Sequence, residues 1–132
     1  MIEIKPVEHW DAVENLLKTP KKDNVFAMAA YDQDELLAAG AVALFDEHAE
    51  LLEVVVPKQH EALNLAYGMG KSLLNFIDRR GIAHVVCSDD ALEPLLRRLR
   101  FKKTDKVDEI GKYYSENEIY YLNLTNYFTN HC

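Results

Sequence analysis

The sequence contains few cysteines, fewer basic than acidic residues, and no pattern typical of a metal site. Its two cysteines are Cys87, in an apolar stretch, and Cys132, at the end. They do not form a disulfide framework, and a reducing, cytoplasmic location is expected. The five histidines are scattered and no Cys-x-x-Cys pair occurs, so no metal site is expected. Twenty-two acidic against fifteen basic residues give a net charge of −7, which opposes binding to nucleic acid or to an anionic membrane surface.

Long apolar runs are also missing. No stretch approaches the roughly 20 residues of a membrane span, and residues 1–6 lack the basic and apolar regions of a signal peptide. With 48% hydrophobic and 28% charged residues in a length of 132, we expect one domain, residues 1–132, with a core that needs no covalent staple. Composition alone indicates no activity.

The first half of the chain predicts an antiparallel meander. Ile2 and Ile4 alternate with polar residues, as in a short strand. The spacing of Trp10, Val13 and Leu17 predicts a helix. Polar turns of about three residues then separate three apolar segments, which are residues 25–31, 36–45 and 49–56. Because such short connections allow only antiparallel pairing, these segments form neighbouring strands.

The second half predicts a parallel crossover. Apolar residues recur at helical spacing over 67–80, and Gly81 follows as a stop signal, while residues 58–66 fit either a loop or a helical turn. A buried strand, 82–87, comes next, and strand, helix, strand implies parallel pairing. A second helix, after Asp90, and strands at 101–107 and 119–124 complete the chain. The predicted fold class is α+β in three layers, with a mixed central sheet of six to seven strands flanked by helices.

This element order, in which a meander leads into a parallel crossover, resembles the GCN5-related N-acetyltransferase superfamily. The most specific stretches are the strand ending at Pro57, the segment from Gly68 to Leu74, and the helix that ends at Leu99-Arg100-Phe101. The resemblance covers residues 2–124 and implies transfer of an acetyl group from acetyl-CoA to an amine. Two other glycine motifs fail, because a P-loop and a dinucleotide fingerprint would need glycine at Leu65 and Leu73.

Glycines at the predicted start of the long helix suggest an anion site. A helix start presents unpaired N–H groups, and glycine lets a pyrophosphate approach the backbone. The resemblance therefore assigns the coenzyme A pyrophosphate to the segment Tyr67, Gly68, Met69, Gly70, Lys71 and Ser72. The family's arginine or glutamine falls on Leu65, which cannot donate a hydrogen bond. Alternatively, Gly68 and Gly70 only allow close packing.

The strand before this helix supplies the other half of the expected site. The resemblance implies that the pantetheine arm pairs with the main chain of Val54, Val55 and Val56. A general base must deprotonate the amine, and two glutamates of the strand are candidates. Strict alternation places Glu50 with Leu52 and Val54, and Glu53 with Leu51 and Val55, so only one faces the cleft. Glu50 is our first choice for this base and Glu53 our second.

The residue that protonates the departing thiolate is missing from its usual place. Family members often use a tyrosine five residues before the phenylalanine, and here that position is Leu96. The candidates to replace it are Tyr67, Tyr113, Tyr114, Cys87 and Ser88. Arginines at 97, 98 and 100 either pair with the 3′-phosphate of coenzyme A or simply complement the helix dipole.

The resemblance leads to two functional hypotheses. The first is an N-acetyltransferase that moves an acetyl group from acetyl-CoA to a primary amine by direct transfer in a ternary complex. The second is a catalytically degenerate domain of the same fold that binds a ligand or a protein. The acidic surface favours a cationic small-molecule or peptide acceptor, such as a polyamine, an aminoglycoside or a lysine side chain. The aromatic residues near the C-terminus fit strand pairing, a wall of the acceptor pocket or the contact of a homodimer.

Overall fold

A computed structural model describes residues 1–104 and 119–128, and these residues form a seven-stranded mixed sheet. The strands are β1 (Ile2–Pro6), β2 (Val25–Asp32), β3 (Glu35–Leu44), β4 (His48–Val55), β5 (His84–Cys87), β6 (Lys102–Thr104) and β7 (Ile119–Asn123). The α-helices are α1 (Leu65–Arg79) and α2 (Glu93–Arg98), and short 3-10 helices span Trp10–Ala12, Lys58–Leu63 and Asp90–Leu92. The mixed sheet with helices confirms the predicted fold class.

The spatial order of the strands is β1-β2-β3-β4-β5-β7-β6. β1 to β4 form the predicted antiparallel meander. Among the strands of the described residues, only β4 and β5 pair in parallel, because α1 carries the chain across the sheet between them. β7 and β6 then add antiparallel strands next to β5. The predicted strand residues 105–107 lie outside the described residues.

Buried apolar clusters of the described residues cover both faces of the sheet. α1 and α2 pack on one face, around Leu51, Leu73 and Leu96. The opposite face is covered by the chain between β1 and β2, whose Val13 and Leu17 are buried against alanines of β2 and β3. We call these the α1 face and the opposite face.

The prediction of an α-helix around residues 10–18 is wrong, because only shorter turns form there. Only a 3-10 turn forms at Trp10–Ala12, followed by a single turn closed on the carbonyl of Val13. The backbone N–H groups of Lys18 and Thr19 donate to the Glu53 carboxylate instead of to helical carbonyls. A side chain from β4 thus competes with the helix for its donors, although Val13 and Leu17 point inward as the periodicity predicts.

Helix α1 begins two residues earlier than predicted. The open alternative for residues 58–66 resolves into the 3-10 helix Lys58–Leu63, separated from α1 by Asn64 in a left-handed conformation with φ 53°. At the other end the chain turns at Gly81, whose φ of 79° suits glycine. In the described part of the chain no helix is long and apolar enough to cross a membrane.

Candidate active site

The parallel ladder between β4 and β5 is much shorter than β4. It pairs His48 with His84 and continues only to Glu50 with Val86. β4 runs on to Val55, and within the described residues its remaining length pairs with β3 alone. A strand without a neighbour on one side presents main-chain N–H and C=O groups there, which an extended ligand can pair with. The ladder therefore ends at Glu50, one residue before β5 itself ends, and β4 continues without a neighbour on that side among the described residues.

A narrow slot lies beside this unpaired part of β4. Its volume is about 270 Å³, and its walls come from β4 (Val54), the first turn of α1 (Ala66) and the segment that begins α2 (Leu92 and Leu95). Arg98 also lines it. Mostly apolar walls with one cation suit a ligand that is apolar along much of its length and carries an anionic group.

The start of α1 opens toward the slot, three residues before the glycines. In an α-helix that begins at Leu65, the N–H groups of residues 65–67 have no acceptor within the helix. Arg98 lies next to this end, with its Nη1 3.5 Å from Oδ1 of Asn64 and its guanidinium 4.6 Å from the ring centre of Tyr67. The helix start therefore combines unpaired donors with a cation from α2.

Gly68 and Gly70 lie inside α1 and not at its opening. A Cβ added to Gly70 would lie 2.7 Å from Cδ1 of Leu99, so this glycine lets α1 approach the end of α2. A Cβ on Gly68 would meet its nearest neighbour, Cδ1 of Ile4, at an ordinary 3.5 Å. Close packing, the alternative considered for the glycines, thus accounts for Gly70. Met69 is buried, whereas Tyr67, Gly68, Lys71 and Ser72 are partly exposed.

Two leucines occupy positions where family members place polar groups. Leu65 is only 8% exposed and Leu96 is fully buried, and both belong to the core on the α1 face. Neither side chain has a polar atom, so neither can bind pyrophosphate or donate a proton. Of the candidate replacements for the acid, Ser88 is exposed, and Tyr113 and Tyr114 lie outside the described residues.

A β-bulge changes the predicted orientation of the two candidate glutamates. Glu53 pairs with Ala41, and the next pair is Leu51 with Val42, so Leu52 is an extra residue in β4. Glu50 pairs with Ala43, which lies two residues from Ala41 in β3. The extra residue therefore places both glutamates on the opposite face, and the prediction that they lie on different faces is wrong.

The Glu53 carboxylate is hydrogen-bonded to the loop that precedes β2. Its carboxylate accepts from the N–H of Lys18 at 2.9 and 3.1 Å, from the N–H of Thr19 at 3.0 Å and from Oγ1 of Thr19 at 2.7 Å. Burial alone would raise the pKa of Glu53, but these hydrogen bonds outweigh it and lower the pKa below its ordinary value of 4.5. A carboxylate that is so well solvated by donors is a weak base.

Glu50 belongs to the last pair of the parallel ladder between β4 and β5. It is half-buried on the opposite face and is paired in register with Val86 of β5. Its negative charge also acts on Cys87, the last residue of β5. Burial is the main cause that raises the pKa of the Cys87 thiol to about 11, and the charge of Glu50 adds to the increase. Cys87 is therefore a protonated thiol at neutral pH and not a thiolate nucleophile.

Two histidines and a tyrosine lie near Glu50 on the same face, and the sequence analysis did not bring them together. His48, 1% exposed, pairs in register with His84, whose Nδ1 is 2.5 Å from the hydroxyl of Tyr121. Burial, followed by the neighbouring His84, lowers the pKa of His48. The two-residue period of side chains along a strand could have placed them on one face. His48 lies two residues before Glu50, and His84 lies two residues before Val86.

No family model matches the chain, and no curated protein matches it either. Solved structures do. An acetyltransferase of Bacillus subtilis in complex with CoA aligns over 95% of this chain and 100% of its own, with TM-score 0.71 and 16% identity. Mutant forms of a spermidine/spermine N-acetyltransferase of Vibrio cholerae align over the whole of both chains, with TM-score 0.71 and 11% identity.

A third similar structure is a GNAT family acetyltransferase of Elizabethkingia anophelis with acetyl-CoA bound. It aligns over 92% of this chain and 95% of its own, with TM-score 0.61 and 12% identity. The chain has the fold of the GCN5-related N-acetyltransferases, as the sequence resemblance predicts. At these identities the likeness defines the fold. In the described part of the chain no group of three or more His, Cys, Asp or Glu side chains could hold a metal ion.

Proposed function

We propose that this protein is an acetyl-CoA-dependent N-acetyltransferase. The observation that supports it most strongly is the early end of the parallel ladder at Glu50 and Val86, beside an apolar slot. An acyl-CoA carries an extended amide-containing arm between a thioester and a charged nucleotide. Unpaired main chain beside an apolar slot, with the N–H donors of the α1 start and the cation of Arg98 next to it, matches that chemistry.

The donor binds from the α1 face in this proposal. Its arm pairs with the main chain of Val54, Val55 and Val56 as an added strand. Its pyrophosphate lies at the start of α1, where the unpaired N–H groups of residues 65–67 and the helix dipole favour an anion. Arg98 supplies the positive charge that Leu65 cannot.

Glu50 acts as the general base on the opposite face. It accepts a proton from the ammonium group of the acceptor, directly or through water, and the neutral nitrogen then attacks the thioester carbonyl. A C–N bond forms, the C–S bond breaks, and the thiolate leaves with the electron pair. The nitrogen then loses its second proton, which reaches the thiolate directly or through water, so that the amide and the CoA thiol are the products. Glu53 is the poorer candidate, because its lone pairs already accept hydrogen bonds from Lys18 and Thr19.

The acceptor is a primary amine that arrives as a cation. The chain carries a net charge of −7, which attracts cations to its surface, and the base lies on the face away from the donor slot. The Vibrio cholerae spermidine/spermine N-acetyltransferase has this fold, and a polyamine would suit a protein of this negative net charge. Polyamines, aminoglycosides and lysine side chains are therefore the first acceptors to test.

A second candidate function, binding without turnover, is favoured by one observation. Leu65 and Leu96 are core residues at positions where polar chemistry is usual in this fold, so the domain could retain the fold and the slot while transferring nothing.

Thermal unfolding with acetyl-CoA and CoA, followed by thiol release with the three acceptor classes, tests both functions. We expect either cofactor to raise the midpoint by several degrees, since a ligand that binds only the folded state stabilises it. At least one amine should release thiol, and Glu50→Gln should lower that rate about 10²–10⁴-fold while Glu53→Gln has little effect on it. Binding without thiol release would support the second candidate. No midpoint shift at millimolar cofactor would refute the acetyltransferase and favour the second candidate, a domain of this fold that binds another ligand or a protein.

A further inference from the structure

The segment before β2 has a conformation that its own sequence does not favour. Apolar residues recur at helical spacing over residues 10–17, yet the 3-10 helix there is only three residues long. A single turn follows, closed on the carbonyl of Val13. The next two N–H groups, those of Lys18 and Thr19, would continue a helix by donating to carbonyls four residues earlier. They donate to the Glu53 carboxylate instead.

Glu53 therefore selects one of two conformations that are open to this segment. A carboxylate suits the N–H groups of Lys18 and Thr19 and the Thr19 hydroxyl, because both its oxygens accept and neither carries a proton. Buried or half-buried N–H groups need an acceptor. Without the carboxylate, the nearest alternatives are the carbonyls of Glu14 and Asn15, which lie four residues earlier in the chain. Loss of this anchor should therefore extend the segment as a helix and draw it away from β4.

The anchored segment lies next to the candidate base. Glu53 pairs with Ala41 and Glu50 pairs with Ala43. The two glutamates therefore leave the opposite face of β4 at points about 7 Å apart, which is two residues along a strand. The anchor lies on the side of Glu50 where β4 has left the ladder with β5. Residues 18 and 19 thus border the space through which an amine reaches Glu50 from this face.

We propose that Glu53 is a positioning residue for the acceptor, because it holds residues 18 and 19 on β4 and so shapes the space beside Glu50 in which the amine binds. The inference rests on the proposed function, in which Glu50 is the base and the acceptor binds on the opposite face. Glu53 acts through the backbone of Lys18 and Thr19 and contacts neither the donor nor the reacting atoms. Loss of the anchor should weaken binding of the amine and leave the chemical step and the donor site unchanged.

The test is the steady-state kinetics of Glu53→Gln, with spermidine, kanamycin and a lysine-containing peptide as acceptors. For the amine that the wild-type protein acetylates, we expect the KM to rise about tenfold or more. Both kcat at saturating amine and the KM for acetyl-CoA should stay within about threefold of wild type, since only binding of the amine is lost.

Matched variants separate the anchor from general destabilisation. Thr19→Val removes the hydroxyl donor and keeps both N–H donors, so the KM for the amine should rise by a smaller factor. Thr19→Ser keeps the hydroxyl and should restore the wild-type KM. Ile77→Val shortens a buried side chain in the core on the α1 face, which destabilises the fold without altering the segment. This variant should leave kcat and both KM values unchanged.

Backbone NMR chemical shifts report the conformation of the segment independently of activity. In Glu53→Gln the shifts of residues 14–19 should move toward helical values. A raised KM for the amine without any such movement would overturn the inference, because Glu53 would then contact the amine itself.

The remaining outcomes distinguish the inference from the proposed function. An unchanged KM for the amine in Glu53→Gln, or an equal rise in Ile77→Val, would overturn the inference and leave the proposed function standing. A fall in kcat with an unchanged KM would also overturn it, because Glu53 would then take part in the chemistry. If the wild-type protein acetylates none of the three amines, the proposed function fails, and the inference fails with it.

Discussion

Replacing Glu53 by glutamine should destabilise the fold in a way that depends on pH. The carboxylate accepts two backbone N–H groups and one hydroxyl. A hydrogen bond to a charged acceptor contributes about 1.5–3 kcal/mol when buried. Glu53 is partly exposed, so solvent screening reduces the total effect of Glu53→Gln to roughly 1–2 kcal/mol. For a chain of 132 residues, this corresponds to a midpoint lower by about 3–10 °C.

The direction of the pKa shift of Glu53 determines the pH range over which this loss of stability changes. A carboxyl whose folded pKa lies below its unfolded pKa stabilises the fold above the unfolded value, and this stabilisation disappears as the pH falls through the folded value. The folded pKa of Glu53 is lowered below 4.5. The difference in unfolding free energy between wild type and Glu53→Gln should therefore be constant from about pH 7 to 5.5 and shrink below about pH 4.5.

Urea unfolding of both proteins across this pH range measures the difference. A gap that stays the same down to about pH 3.5 would refute the assignment of Glu53 as a charged clamp, because a neutral acceptor would then suffice. Glu50→Gln is the matched variant, three residues earlier in the same strand. It should affect turnover, whereas Glu53→Gln should keep kcat within about threefold well below its midpoint. A larger loss of kcat in Glu53→Gln than in Glu50→Gln would reverse the two roles.

Three further outcomes are expected. Gly70→Ala should lose about 1–2 kcal/mol, because overpacking against Leu99 exceeds the gain in helix propensity, whereas Gly68→Ala should be neutral or stabilising. A larger loss in Gly68→Ala by chemical unfolding would contradict this packing. The lowered pKa of His48 means that the fold favours its neutral form, so stability should fall as the pH drops below about 6.5, and His48→Gln should remove that slope. Cys87, whose thiol pKa is raised to about 11, should resist alkylation at pH 8 until the protein unfolds, as peptide mapping would report.

The strand order was predictable because local signals agreed with the global fold. Short polar turns force neighbouring segments to pair antiparallel, and a helix between two strands forces them parallel. For this reason each end of β2, β3 and β4 lies within one residue of its predicted position. Gly81 marked the end of α1 because a left-handed residue is required there.

The site was less predictable because its geometry depends on departures from regular structure. Strict alternation cannot reveal the bulge at Leu52, because it assigns one residue of β4 to each position of β3. One extra residue turned Glu53 to the face of Glu50. Likewise the periodicity of residues 10–18 was real, but a tertiary hydrogen-bond acceptor, Glu53, removed the helix. The approach of Arg98 to the start of α1 joins segments more than thirty residues apart, a distance over which local patterns carry no signal.

A crystal structure of the protein with bound CoA tests the central claim most directly. The account predicts electron density for the pantetheine arm along Val54, Val55 and Val56, hydrogen-bonded to their main chain, with the thiol toward Glu50 and the pyrophosphate at the start of α1. Density for CoA at any other surface, or β4 and β5 paired along their full length with the slot closed, would contradict it.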